Sequence, residues 1–156
     1  MNPYVLSIRH TPAILVRMLD QISPERYLEA LQADRFNLVE VIAHIADWED
    51  IFLDRLRQTV EHPGSTLPAY DEGARAIEKK YETKEPHHEL EVFANRRRDT
   101  VNFLEELPAE KWSLSAVHSE RGPITVSDQA TFLLGHDLYH IEQVTEYFTV
   151  LHALVP

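Results

Sequence analysis

The chain has 156 residues, with 26 acidic and 15 basic side chains, a formal charge of -11 and no cysteine. That length suits one domain, 1–156, able to bury a core without cross-links. The acidic balance excludes the usual nucleic-acid and anionic-membrane partners, and the lack of thiols excludes disulfides, thiolate metal ligation and a cysteine nucleophile.

No apolar run approaches the ~20 residues of a membrane span, and no basic-then-apolar leader opens the chain, so a cytoplasmic location is expected. Residues 3–9 can form a short helical turn. Thr11 and Pro12 then fit the cap and first turn of a first main helix, whose apolar stripe is Ile14, Leu15, Met18, Leu19 and Ile22. A second helix follows Asn37, which has Glu40 at capping-box spacing. Its stripe is Leu38, Val41, Ile42, Ile45, Trp48, Phe52 and Leu56, and Glu49, Asp50 and Asp54 read as a solvated face.

The next stretch, EHPGSTLPAYDEGARAIEKKYETKEPHHE (61–89), contains three prolines and two of the four glycines. It is too long for an ordinary bundle loop. It predicts a crossover between helices 2 and 3, with one short helix around Ala74–Tyr81, closing over one end of the bundle. The third helix, LEVFANRRRDTVNFLEEL (90–107), sets Leu90, Phe93, Arg97, Val101 and Leu104 on one face. Arg96, Arg97 and Arg98 point three ways and make no basic patch. A connection, PAEKWSLSAVHSERGPITV, leads to the last helix, with Thr125 as its cap. That helix is expected to reach about Leu151, with Ala130, Leu133, Leu134, Ile141, Val144 and Phe148 inward. No strand pattern stands out, so four amphipathic helices predict an all-α four-helix bundle.

The chemistry-bearing pattern is LLGHDLYHIEQV (133–144). His136 and His140 lie four apart, which stacks two imidazoles one turn above each other on the flank of the core stripe. His44 takes the same flank position in the second helix. Three neutral nitrogens from two seams, His44, His136 and His140, would bind one divalent ion and leave a position for water or substrate. The alternative is ordinary polar packing, since an H-x-x-x-H pair alone is weakly specific. His10, His62, His87, His88, His118 and His152 lie in loops or near helix ends, where solvation is expected, with His118 able to reach a site mouth. Asp137 falls inside the apolar stripe, as Arg97 does on the third helix. Two readings stay open: a buried Asp137–Arg97 pair, or a carboxylate orienting a ligand imidazole. Gln143 and Tyr147, on the same row, are candidates for the site mouth. The paired Glu-x-x-His motifs of di-metal bundles are not met, since Glu40 and His44 are four apart and the last helix has no glutamate three before a histidine, and no P-loop or G-x-S-x-G occurs.

In order and spacing, TPAILVRML, EVIAHIADWEDIFLDRL, LPAYDEGARAIEKKY, FANRRRDTVNFLEELPAEKW and SERGPITVSDQATFLLGHDLYHIEQV resemble the DinB/YfiT-like superfamily over nearly the whole chain. The most specific parts are the lone histidine of EVIAHIAD and the GHDLYHIEQ block. The resemblance implies an up-down-down-up bundle and a divalent ion, often nickel or zinc, on His44, His136 and His140. It further implies a hydrolase or a transferase or isomerase using a low-molecular-weight thiol cosubstrate, acting on a small molecule, commonly as a homodimer. One departure is RFNL, where relatives usually carry tryptophan and serine before the second helix; Asn37 can still cap. A non-catalytic binding or stress-response module, with a structural metal or none, is the competing reading.

Overall fold

The computed structural model describes residues 3–148. Its elements are α1 (Pro3–Ile8), α2 (Thr11–Leu19), α3 (Leu38–Glu61), β1 (Thr66–Leu67), α4 (Glu72–Lys79), α5 (Pro86–Glu106), β2 (Ser115–His118), β3 (Gly122–Thr125) and α6 (Val126–Thr145). The helices α2, α3, α5 and α6 make the bundle. A side-chain cap satisfies free N–H groups at the start of α3, α5 and α6, while α2 opens on a first-turn proline with no side-chain cap. Asn37 accepts from the Glu40 N–H while the Glu40 side chain accepts from the Asn37 N–H, and Thr125 with Asp128 repeats the arrangement.

The helix directions follow from which ends share a core. Leu38, Val41 and Ile42 pack with Leu90 and Phe93, whereas Leu56 packs with Val101 and Leu104, so α3 and α5 run parallel. Leu15 and Leu19 join the cluster of Leu90, Phe93 and Val144. Thr11 bonds Asp137, and the Gln129 amide donates to the Thr59 hydroxyl at 2.7 Å. These contacts set α2 parallel to α6 and antiparallel to α3 and α5. The expected up-down-down-up order is therefore present.

Several local expectations need correction. Thr11 does not cap α2; His10 holds that position, and the Thr11 hydroxyl donates to Asp137 at 2.6 Å. α5 begins one turn earlier than its apolar stripe, because the Glu85 carboxylate accepts from the His87 and His88 N–H groups ahead of a first-turn proline. Glu49 is not solvated but 1% exposed. The α6 helix ends at Thr145; the expected extension over 149–151 lies outside the described residues, as does His152.

The sheet is the largest addition. β1 pairs parallel with β2, and β2 pairs antiparallel with β3, in the order β1-β2-β3. Gly122, at φ +75°, takes the left-handed conformation that closes the β2–β3 turn. Strands of two and four residues are too short to show a period of two. The crossover supplies β1 and then α4, close to the helix expected there. Arg75 of α4 forks onto Asp47, and the Tyr81 hydroxyl donates to Asp47 at 2.6 Å, which pins the crossover to α3.

Candidate metal centre

His44 projects from α3, and His136 and His140 from successive turns of α6. The Nε2 atom of His136 lies 3.1 Å from Nε2 of His44 and 3.1 Å from Nε2 of His140. One ligand-capable nitrogen from each ring lies within 4.8 Å of the other two. A tetrahedral ion with nitrogen ligands at ~2.0–2.1 Å spaces those nitrogens roughly 3.3 Å apart, close to the two 3.1 Å separations around His136. His44 and His140 are buried; His136 is partly open.

The electrostatics favour neutral, ligand-ready rings. Burial first, and then the nearby His140, lowers the His44 pKa from 6.5 to about 3. Burial lowers His140 to about 4, against opposing effects from the Gln143 hydrogen bond and the Asp137 charge. His136 is pushed well below its ordinary value by burial, by both neighbouring rings and by Arg97. Three imidazoles that resist protonation this strongly keep their lone pairs at neutral pH.

Gln143 settles which nitrogen of His140 carries its proton. Its Oε1 lies 2.6 Å from His140 Nδ1, and an amide oxygen only accepts, so Nδ1 donates and Nε2 turns its lone pair to the cluster. Gln143 is 8% exposed and sits behind the ring rather than at a mouth. The Nδ1 atoms of His44 and His136 are buried without a protein partner. His44 is instead wedged among rings, 5.6 Å from Phe36, 5.2 Å from Trp48 and 6.2 Å from Tyr81 between centroids. Phe36, from the RFNL stretch ahead of α3, thus lies against a candidate ligand.

Beneath the triad, Arg97 joins two carboxylates. It donates to Asp137 at 2.5 and 2.8 Å and to Glu49 at 2.8 and 2.8 Å, and a further N–H reaches the Ile8 carbonyl at 2.9 Å. Thr11 completes the shell of Asp137. Asp137 thus takes the ion-pair role, and its oxygens bond Arg97 and Thr11. Glu49 was missed in the sequence because its acidic neighbours Asp50 and Asp54 make that stretch look like a wet face. Tyr147 is also placed elsewhere: its hydroxyl donates to the Glu29 carbonyl at 2.7 Å and its ring lies in the core.

A cavity of about 370 Å³ opens beside the triad. His136 and Gly135 form part of its wall, with Trp48, Phe52, Tyr70 and Tyr139 as aromatic sides. The crossover contributes Ala69 and Tyr70, and the sheet contributes His118 and Ile124. The crossover therefore closes over this end of the bundle, where the sequence placed it. His118 accepts from the Glu120 N–H through Nδ1 at 3.3 Å, and burial with Arg55 and Arg121 nearby lowers its pKa.

Residues 7–144 match the family model described as the DinB superfamily. The chain belongs to the DinB superfamily. Among solved structures it is similar to YfiT from Bacillus subtilis, reported as a probable metal-dependent hydrolase with an unusual four-helix bundle topology. That likeness has a TM-score of 0.88 at 17% identity and covers 96% of this chain and 86% of the other. It is also similar to the mycothiol-dependent maleylpyruvate isomerase, with a TM-score of 0.73 at 11% identity. There the match covers 90% of this chain but 59% of the isomerase, so a good part of that protein lies outside it. No curated protein sequence matches this chain. At these identities the shared property is the fold.

Proposed function

We propose that this DinB superfamily member is a metal-dependent enzyme whose ion is held by His44, His136 and His140. It would activate water or a low-molecular-weight thiol against a small electrophilic substrate. The observation that carries the reading is the convergence of three neutral Nε2 atoms at the wall of an aromatic cavity. Three nitrogen donors suit nickel or zinc, and such a set holds the ion while leaving room for a further ligand. A bound divalent ion supplies Lewis acidity, which lowers the pKa of water or a thiol and polarises a substrate oxygen.

The chain's own residues do the rest. Gln143 keeps the His140 proton on Nδ1, and the Arg97 cluster ties α6 to α3 and α5 so that the rings stay in register. Trp48, Phe52 and Tyr139 exclude water from the cavity and bind an apolar substrate body. The reported nature of YfiT supports the hydrolytic arm and that of the isomerase supports the thiol arm. A cytoplasmic homodimer belongs to the same proposal.

The test is a panel of activated esters and thiol acceptors offered to metal-loaded protein, followed by chelation. Turnover that stops on chelation while far-UV circular dichroism is unchanged supports the enzyme. Turnover that continues in chelated protein contradicts it.

A further inference from the structure

The far side of the cavity holds a charge that the metal site does not use. Arg55 of α3 is half-buried, and its Nη2 donates to the Pro68 carbonyl at 2.5 Å. Its guanidinium carbon stands 6.0 Å from the Trp48 ring centroid and 5.5 Å from that of Tyr70, and its Nε is buried without a protein partner. Arg121, from the β2–β3 turn, lies over Phe132 at 5.1 Å and faces the same space.

In a chain with so many acids, the pairing pattern is informative. Arg9, Arg26, Arg35, Arg75, Arg96 and Arg97 each form an ion pair. Among the described residues, Arg55 is the one arginine not exposed that has no carboxylate partner. Glu72 and Glu120 also line the cavity, yet neither comes within ion-pair distance of Arg55 or Arg121. Burial first lowers the Arg55 pKa from its ordinary value and Arg121 adds to this, while Tyr70 and Glu120 oppose. A partly desolvated guanidinium whose Nη1 makes no bond to the protein, held by a carbonyl and two rings, is prepared for an anion at that end, the buried Nε being out of a ligand's reach.

We propose that Arg55 is the anchor for the carboxylate of a small acid whose apolar body lies between the cavity's aromatic walls. A carboxylate is the planar partner that one guanidinium edge receives best, and Arg121 adds long-range attraction at the more exposed rim. With the acid group on Arg55, the rest of such a molecule extends along the wall that contains Trp48 and His136. The consequence for turnover rests on the metal-enzyme reading above; the anchor itself does not.

Binding is therefore measured by calorimetry on chelated protein, with phenylacetate, its neutral amide phenylacetamide and inorganic phosphate as probes. The expected result is saturable phenylacetate binding that is at least ~10-fold tighter than that of the amide or phosphate. Arg55→Gln should remove that advantage, and Arg55→Lys, which keeps the charge, should retain part of it. Metal content should be the same in both variants as in the parent. Equal affinity for acid and amide, a preference for phosphate, equal losses in the Gln and Lys variants, or no saturable phenylacetate binding up to about 10 mM would overturn the proposal. A protein that binds phenylacetate this way but holds no metal would leave the anchor standing and remove the metal-enzyme reading instead.

Discussion

Arg97 of α5 and Asp137 of α6 meet in a bidentate ion pair whose side chains are both 1% exposed, one residue along the chain from His136. With Glu49 on its other edge, the guanidinium joins three of the four bundle helices at the level of the candidate site. Breaking such a pair from one side strands a buried charge. Asp137→Ala should lower stability by about 3–5 kcal/mol in denaturant unfolding. Asp137→Asn, which keeps a hydrogen-bond acceptor, should cost less. An Asp137→Ala protein as stable as the parent would show that the cluster does not hold the bundle together.

Gln143 acts through His140 and not on a ligand directly. Gln143→Leu removes the acceptor for the Nδ1 proton, and loss of such a partner typically weakens metal binding ~10–100-fold. Competition with a chromophoric chelator should report that drop, with the helical content retained. Gln143→Glu, an acceptor at the same place, should recover most of it.

The pH dependence of the metal-free protein follows from the lowered imidazole pKa values. His44 and His140 fall from 6.5 to about 3 and about 4 on folding, so between these values the unfolded chain binds more protons than the folded one. Stability from this source is complete above pH 6.5 and is lost as pH falls toward 4. Urea unfolding of chelated protein should show a lower midpoint at about pH 5 than at about pH 7.5. His44→Gln should flatten part of that difference; an unchanged slope would mean that His44 is protonated in the folded state.

Gly135 lies mid-helix next to His136, and a Cβ there would meet nothing within 4 Å. Gly135→Ala should therefore raise stability by about 0.5–1 kcal/mol, since nothing opposes the gain in helix propensity. Gly135 also lines the cavity, so the methyl is added at its lining. Raised melting temperature together with weaker ligand binding would show that the glycine is there for space.

The helices could be read from the chain because each carries a buried stripe at 3.6-residue spacing, and α3 and α6 a start signal that holds. The Asn37–Glu40 box and the Thr125 cap are local chemistry, and both formed, Thr125 in a box with Asp128 that the structure adds. The three histidines were legible as flank residues on two helices whose seams could meet, and the resemblance to the DinB/YfiT-like superfamily singled them out as one set. What was not legible depends on non-local partners. Glu49 looks solvated until Arg97 arrives from another helix, and Thr11 looks like a cap until Asp137 draws its hydroxyl. The sheet consists of strands too short to have a period, and the cavity exists only because the crossover and the sheet fold over α3 and α6.

The central claim is that His44, His136 and His140 hold one ion between them. Its most direct test is metal analysis of the parent and of His140→Ala, both purified without a nickel column. The expected outcome is about one divalent ion per parent chain and almost none in the variant, with matching far-UV circular dichroism. Stoichiometric metal in His140→Ala would contradict the account.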